Sequence, residues 1–188
     1  NGKSFYTAIS TNIQNVVDLV QFFLDHNADP NMPDKRGVYP LEFALTQESF
    51  GFVSTLLNSN RINISQKLNG KLKYHLKNET YIHLAARCDD SSILNEFINR
   101  NLIDVNSTDD LGETPLMKAC SIKKTKNIIR LFQVENLDYR KVNIEGKDAL
   151  KIVQINSEKM QNKSKRKSDF INIPNIQPPE KKAYLLSI

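Results

Sequence analysis

A turn residue followed at once by a helix start recurs along this chain, and that period constrains the fold more than any other feature of the sequence. Glycine or asparagine stands at Gly2, Gly37, Asn78, Gly112 and Gly146, separated by 35, 41, 34 and 34 residues. A repeat of that length is a single supersecondary unit, too thin to bury its own apolar face, so neighbouring units must stack. The one long interval holds a polar insertion, Lys67–His75, read here as a loop between repeats.

Two positions after each turn residue comes Ser4, Tyr39, Thr80, Thr114 or Asp148. All but Tyr39 carry a side-chain oxygen that can accept a hydrogen bond from an unpaired helix amide. Pro40 and Pro115 follow, where a missing N–H costs nothing because the first helical amides have no intrahelical acceptor. At Tyr39 the proline is expected to start the helix alone. About a dozen residues later, apolar triplets at i, i+3 and i+4 mark a second helix: Val20, Phe23, Leu24; Val53, Leu56, Leu57; Leu94, Phe97, Ile98; Ile128, Leu131, Phe132. Asn27, Asn60, Asn101 and Glu135 follow these helices, and the three asparagines tolerate the left-handed conformation that ends one.

The segments Asp34-Lys-Arg-Gly-Val-Tyr-Pro-Leu-Glu-Phe-Ala44, Glu79-Thr-Tyr-Ile-His-Leu-Ala-Ala86 and Asp109-Asp-Leu-Gly-Glu-Thr-Pro-Leu-Met-Lys-Ala119 resemble the D-x-x-G-x-T-P-L-H-x-A opening of the ankyrin repeat. Asn27-Ala-Asp-Pro-Asn31 is similar to that family's G-A-D-x-N, and Leu102-Ile-Asp-Val-Asn106 is a version one residue longer. His83 alone keeps the motif histidine; Thr7, Glu42, Met117 and Lys151 stand at its counterparts. The resemblance implies an all-α ankyrin-repeat solenoid of four repeats and a partial fifth. Their expected spans are 1–33, 34–66, 75–108, 109–142 and 143–155, with the insertion at 67–75 and a tail at 156–188.

The resemblance further implies a protein–protein interaction module that holds a partner segment on a concave surface of hairpin tips and first helices. Carried onto this chain, the tips are Lys35, Arg36, Val38, Glu79, Asp110, Leu111, Glu113, Ile144, Glu145 and Lys147. The first-helix positions are Thr46, Gln47, Arg87, Cys88, Ser121 and Ile122. That surface begins basic at Lys35 and Arg36 and turns acidic at Asp109, Asp110 and Glu113, which would steer a segment of opposite polarity into one orientation. Two alternatives stand beside it: a targeting domain of a multidomain enzyme or pathogen effector whose catalytic part lies outside this sequence, and a nuclear transcriptional cofactor.

Chemistry is expected to be absent. Cys88 follows His83 by five residues, but no residue is placed to orient the histidine, and the resemblance gives His83 a structural task, bonding backbone and tying neighbouring repeats together. His26 sits at a helix end, where a basic side chain suits the carbonyl terminus, and His75 lies in the insertion. Asp89-Asp90 and Asp109-Asp110 lack metal-ligand spacing and read as solvated turns. No phosphate-binding loop occurs. No cofactor, small-molecule substrate, nucleic acid or membrane is expected as a partner.

Of the net charge of +5, most sits in the tail, where seven basic residues from Ile155 onward face Glu158, Asp169 and Glu180. Lys163, Lys165, Arg166 and Lys167 form a basic cluster that reads first as a solvated linker and alternatively as a nuclear-import signal. Phe170, Ile171, Ile173 and Ile176, interrupted by Pro174, are expected to loop back over Leu150, Ile152 and Val153 at the open end of the stack, the competing reading being a linker or a ligand for a neighbouring molecule. Two cysteines without a leader-like segment fit an intracellular, cytoplasmic or nuclear protein, and the first residue, Asn1, suggests a piece of a longer chain.

Overall fold

The computed structural model describes residues 13–68, 78–100 and 103–163. Among them the chain is all-helical: α1 (Ile13–Asp25), α2 (Pro40–Thr46), α3 (Phe50–Asn58), α4 (Tyr81–Ala85), α5 (Ser91–Asn99), α6 (Pro115–Ser121), α7 (Thr125–Phe132) and α8 (Ala149–Lys163). Helices α2 and α3, α4 and α5, and α6 and α7 pack as pairs. Each helix also packs on the one two places along, so α2, α4, α6 and α8 form one row and α1, α3, α5 and α7 a second. Of the expected core triplets, Val20, Val53, Leu56, Leu57, Leu94, Phe97, Ile128, Leu131 and Phe132 are buried, while Phe23, Leu24 and Ile98 are half-buried.

Local chemistry explains the starts. The Thr114 hydroxyl accepts from Met117 N at 3.3 Å. At Tyr39 the proline does not act alone: Glu42, itself buried, folds back to accept from Tyr39 N at 3.2 Å. The stops are less legible. Asn27 is left-handed at φ 63°, and Ala28 N donates back to Phe23 O at 2.9 Å, closing a Schellman turn. Asn60 and Glu135 are not left-handed, and Asn101 lies outside the described residues. The same closure instead ends α2 and α6 with Glu48 (φ 49°) and Lys123 (φ 61°), followed by Ser49 N→Ala44 O at 3.1 Å and Lys124 N→Ala119 O at 3.0 Å.

Between units, side chains satisfy carbonyls that helix ends leave open. Arg61 donates to Leu24 O at 2.7 Å and Arg100 to Leu57 O at 3.0 Å. Asn127 Nδ2, buried, reaches Ala86 O at 3.1 Å and Cys88 O at 2.8 Å. The asparagines of the two G-A-D-x-N-like segments do matching work. Asn31 donates to Arg61 O and accepts from Asn63 N, and Asn106 donates to Asn136 O and accepts from Asp138 N.

Two expected boundaries move. Helix α8 runs through Ile155 to Lys163, so the tail does not begin at residue 156. The insertion is also displaced. Leu68 N donates to Glu79 O at 2.8 Å and Asn78 N to Leu68 O at 2.9 Å. Those are the bonds that Asp34, Asp109 and Asn143 make at the bases of their own hairpins. Nine residues, 69–77, therefore stand where the other hairpins have two, and the excess of seven accounts for the 41-residue interval. Leu68, which is buried, and Asn78, the described residues on either side of 69–77, thus take the places that Asp34 and Gly37 take in their hairpin.

Candidate functional site

The hairpins that open the units are built by one device. Asp109 Oδ1 accepts from Leu111 N and Glu113 N, both at 2.9 Å, and Asn143 Oδ1 from Glu145 N and Lys147 N, both at 3.0 Å. Asp34 Oδ1 does the same for Arg36 N and Val38 N at 2.9 Å each. Burial alone would raise the Asp34 carboxyl, but the bonds from Val38 and Arg36 outweigh it and hold the pKa below the usual carboxylate value. The residue that donates back to the first of each turn is left-handed, at Gly37 (φ 81°), Gly112 (φ 70°) and Gly146 (φ 70°), as is Asn78 (φ 61°), which donates to Leu68 O. The recurring turn residues of the sequence thus mark backbone that glycine and asparagine adopt most easily.

Adjacent tips touch. Ile144 N donates to Leu111 O at 2.9 Å, which sets two apolar side chains side by side on neighbouring hairpins. Leu111 is 39% exposed, Ile144 70%, and Val142, at the foot of the last hairpin, 55%. The approach is close enough that a Cβ on Gly112 would meet Asn143 Cα and Ile144 N at 3.2 Å, whereas one on Gly146, with nearly the same φ, would meet nothing within 4 Å. Gly146→Ala should therefore cost about 1 kcal/mol for left-handed backbone alone. Gly112→Ala should cost clearly more, because backbone must also move; equal losses in paired urea titrations would mean that the tips do not abut.

Behind the tips lies a buried ionic cluster. Lys118 Nζ, on α6, is 2.6 Å from Asp109 Oδ2, 2.6 Å from Glu113 Oε2 and 3.5 Å from Glu79 Oε1. Arg87 reaches Glu79 Oε2 at 3.1 Å. Burial alone would lower the Lys118 pKa, but the bonds from Asp109 and Glu113 overcome it and leave the pKa raised. His83 joins the same seam: its Nδ1 accepts from Thr80 N at 3.1 Å, and Nε2 lies 3.0 Å from Glu113 O, one unit further on. That is the neutral tautomer protonated on Nε2, and burial lowers its pKa to about 4.

Several expected surface residues change place. Val38 is 1% exposed and Glu79 0%, so neither is available at a tip; Asp109, expected in a solvated turn, is 6% exposed and neutralised by Lys118. Cys88 is also buried. Arg87 and Glu113 are half-buried and turned into the cluster. Lys35, Arg36, Thr46, Gln47, Asp110, Leu111, Ser121, Ile122, Ile144 and Glu145 are exposed. Arg36 pairs with Asp34 at 3.0 Å, Glu145 pairs with Lys147, and the Thr46 and Ser121 hydroxyls bond back to Phe43 O and Lys118 O. The acidic end of the edge is thus weaker than charge counting implies, and Asp110 is its principal exposed carboxylate. Lys165, Arg166 and Lys167 fall outside the described residues, and Lys163 is the last residue of α8. Residues that sequence reading passed over include Lys118, Asn127 and Val142. Only Val142 carried a local signal, an apolar residue just before a turn.

The thiols are unsuited to nucleophilic attack: burial pushes both Cys88 and Cys120 up to about 12, and Cys88 Sγ lies against Leu84 O at 3.5 Å. Both ring nitrogens of His83 are occupied as described. Asp90 caps α5 by accepting from Ser92 N, and Asp89 pairs with Lys124. His26 bonds Phe22 O at 2.7 Å and stacks on the Phe22 ring. Among the described residues no group of three His, Cys, Asp or Glu could hold a metal ion, and no helix is long and apolar enough to cross a membrane. No protein-family model matches the chain, and no curated protein matches it.

Proposed function

We propose that the chain is an ankyrin-type repeat array whose task is to hold a segment of another protein along its hairpin tips and first-helix row. The observation that carries this reading is the apolar edge of the last two hairpins. Side chains as exposed as Ile144 and Val142 gain nothing in the free molecule, and an apolar cluster rimmed by polar groups is the usual composition of a contact surface. The repeat period, the two-row packing and the repeated hairpin device support the family assignment, since all three recur in register with the ankyrin-like motifs.

In the mechanism that follows, Leu111 and Ile144 supply the desolvated contact, while Lys35, Arg36 and Asp110 orient the incoming segment through its charges. Ile122, Thr46 and Gln47, exposed at the ends of the first helices, extend the surface away from the tips. No bond is made or broken; the outcome depends on what the partner and any further part of the polypeptide do once brought together. Leu111→Asp/Ile144→Asp should abolish retention of a specific binding partner that Met32→Asp, at an exposed site elsewhere, leaves intact. Retention equal in both variants would remove the edge from consideration.

A further inference from the structure

Bonds between neighbouring units lace the apolar edge to an acidic one. Asn78 Nδ2 donates to Asp110 Oδ1, and Ile144 N to Leu111 O, so Asp110 and the pair Leu111 and Ile144 lie along one line of contacts. The charges there do not cancel. Glu79, Asp109 and Glu113 share Lys118 and Arg87, one carboxylate more than there are cations, and the bond to Asp110 comes from a neutral amide, which cancels no charge. Both cations sit behind the tips: the Lys118 side chain is 5% exposed and that of Arg87 21%, whereas Asp110 is exposed. Glu145 is matched by Lys147, and the basic residues near Val142 are turned to other groups, Arg140 over the Tyr139 ring at 5.4 Å and Lys141 Nζ on Asn106 O at 2.8 Å. Solvent therefore meets excess negative charge next to Leu111.

We propose that the edge takes a segment of another protein in which a lysine or arginine adjoins a branched apolar residue, the apolar side chain lying on Leu111 and Ile144 and the cation against Asp110. This names the chemistry of the partner, and it rests on the binding role proposed for the edge. The apolar contact supplies affinity but little discrimination, because burial of apolar surface is non-directional. The cation supplies the choice. At Asp110 it is attracted by charge that the cluster leaves in excess, while a carboxylate in the same place is repelled by Asp110 and by Glu113 three residues on. Lysine and arginine also lay their stems along apolar surface while the charged head stays in water, so one such residue can cover part of Leu111 and still reach Asp110. The same excess of negative charge opposes a polyanion such as nucleic acid.

A displayed library of random short peptides, panned against the full chain and against Leu111→Asp/Ile144→Asp, tests this. Each substitution used changes an exposed side chain, and circular dichroism checks that the helices remain. Peptides kept by the parent and lost on the double variant should carry lysine or arginine beside isoleucine, leucine or valine. For one such peptide Asp110→Asn, which can still accept from Asn78, should weaken binding about threefold, the scale of an exposed ion pair, and Asp110→Lys about tenfold. Changing the peptide's basic residue to glutamate should restore binding to Asp110→Lys and not to the parent. Edge-dependent peptides without a basic preference, or basic ones indifferent to Asp110→Lys, would overturn the proposal and leave the edge a binding surface. If the parent and the double variant keep the same peptides, or neither keeps any, the edge itself falls and this inference with it. A concentration-dependent dimer that the double variant loses would also overturn it, assigning the edge to a second copy of the chain.

Discussion

Lys118→Met should lower the free energy of unfolding by about 3–5 kcal/mol, the usual loss when one partner of a buried charge cluster is removed. The side chain of Lys118 is 5% exposed, and its ammonium faces Asp109, Glu113 and Glu79, of which Asp109 and Glu79 are fully buried side chains. Methionine matches the stem but leaves three carboxylates with Arg87 as the remaining cation of the cluster. Domains are stable by only about 5–15 kcal/mol, so the variant should unfold at much lower urea at neutral pH. Adding Asp109→Asn should recover part of the loss, because a neutral amide in that position no longer needs a cation, although it can keep the hairpin bond to Glu113 N. A loss below about 1 kcal/mol would show that water reaches the cluster.

The second large effect is with acid. The His83 pKa is lowered from 6.5 to about 4 by burial, with its backbone bond to Glu113 O and the charges of Glu79 and Asp109 opposing the shift and Lys118 adding to it. Between those two values the unfolded chain binds the proton and the folded chain does not, so stability rises with pH in that window. The contribution is complete above about pH 6.5 and is lost as pH falls toward 4, amounting to about 3 kcal/mol at 1.36 kcal/mol per pKa unit. His83→Gln does not titrate and can still accept from Thr80 N as a capping-box residue, so it should flatten the pH dependence of the melting temperature between 6.5 and 4. The same slope in parent and variant would place the acid sensitivity in the carboxylates instead.

Both effects arise in the seam between the third and fourth units, and both were hard to read from the sequence. The partners of Lys118 are Asp109 and Glu113 nearby in the chain and Glu79 on the preceding hairpin. Alone, Lys118 reads as an ordinary exposed helix position and Glu79 as a charged tip residue. Stacking removes both from water, after which each is tenable only with the other. Val38 misled for a related reason: it follows a turn, as exposed residues do, yet its side chain is buried and its amide closes the hairpin on Asp34. Glu48 and Lys123 adopt left-handed backbone with no residue-type signal, held there by bonds of the turns that end α2 and α6.

The sequence by itself determined what is local. Gly37, Asn78, Gly112 and Gly146 marked left-handed turns because few other residues adopt that backbone without strain, and Thr80, Thr114 and the prolines marked helix starts because amides there lack partners. The i, i+3, i+4 triplets located the buried faces of the second-row helices, since helical period alone puts those side chains together. Tertiary structure alone decided which charged residues face solvent, that Leu68 pairs with Asn78 and Glu79, how far α8 runs, and that Leu111 and Ile144 meet. The Lys118–Glu79 pair and the Leu111–Ile144 bond join residues more than 30 apart in the chain, and a period read along one dimension carries no information about which of them meet.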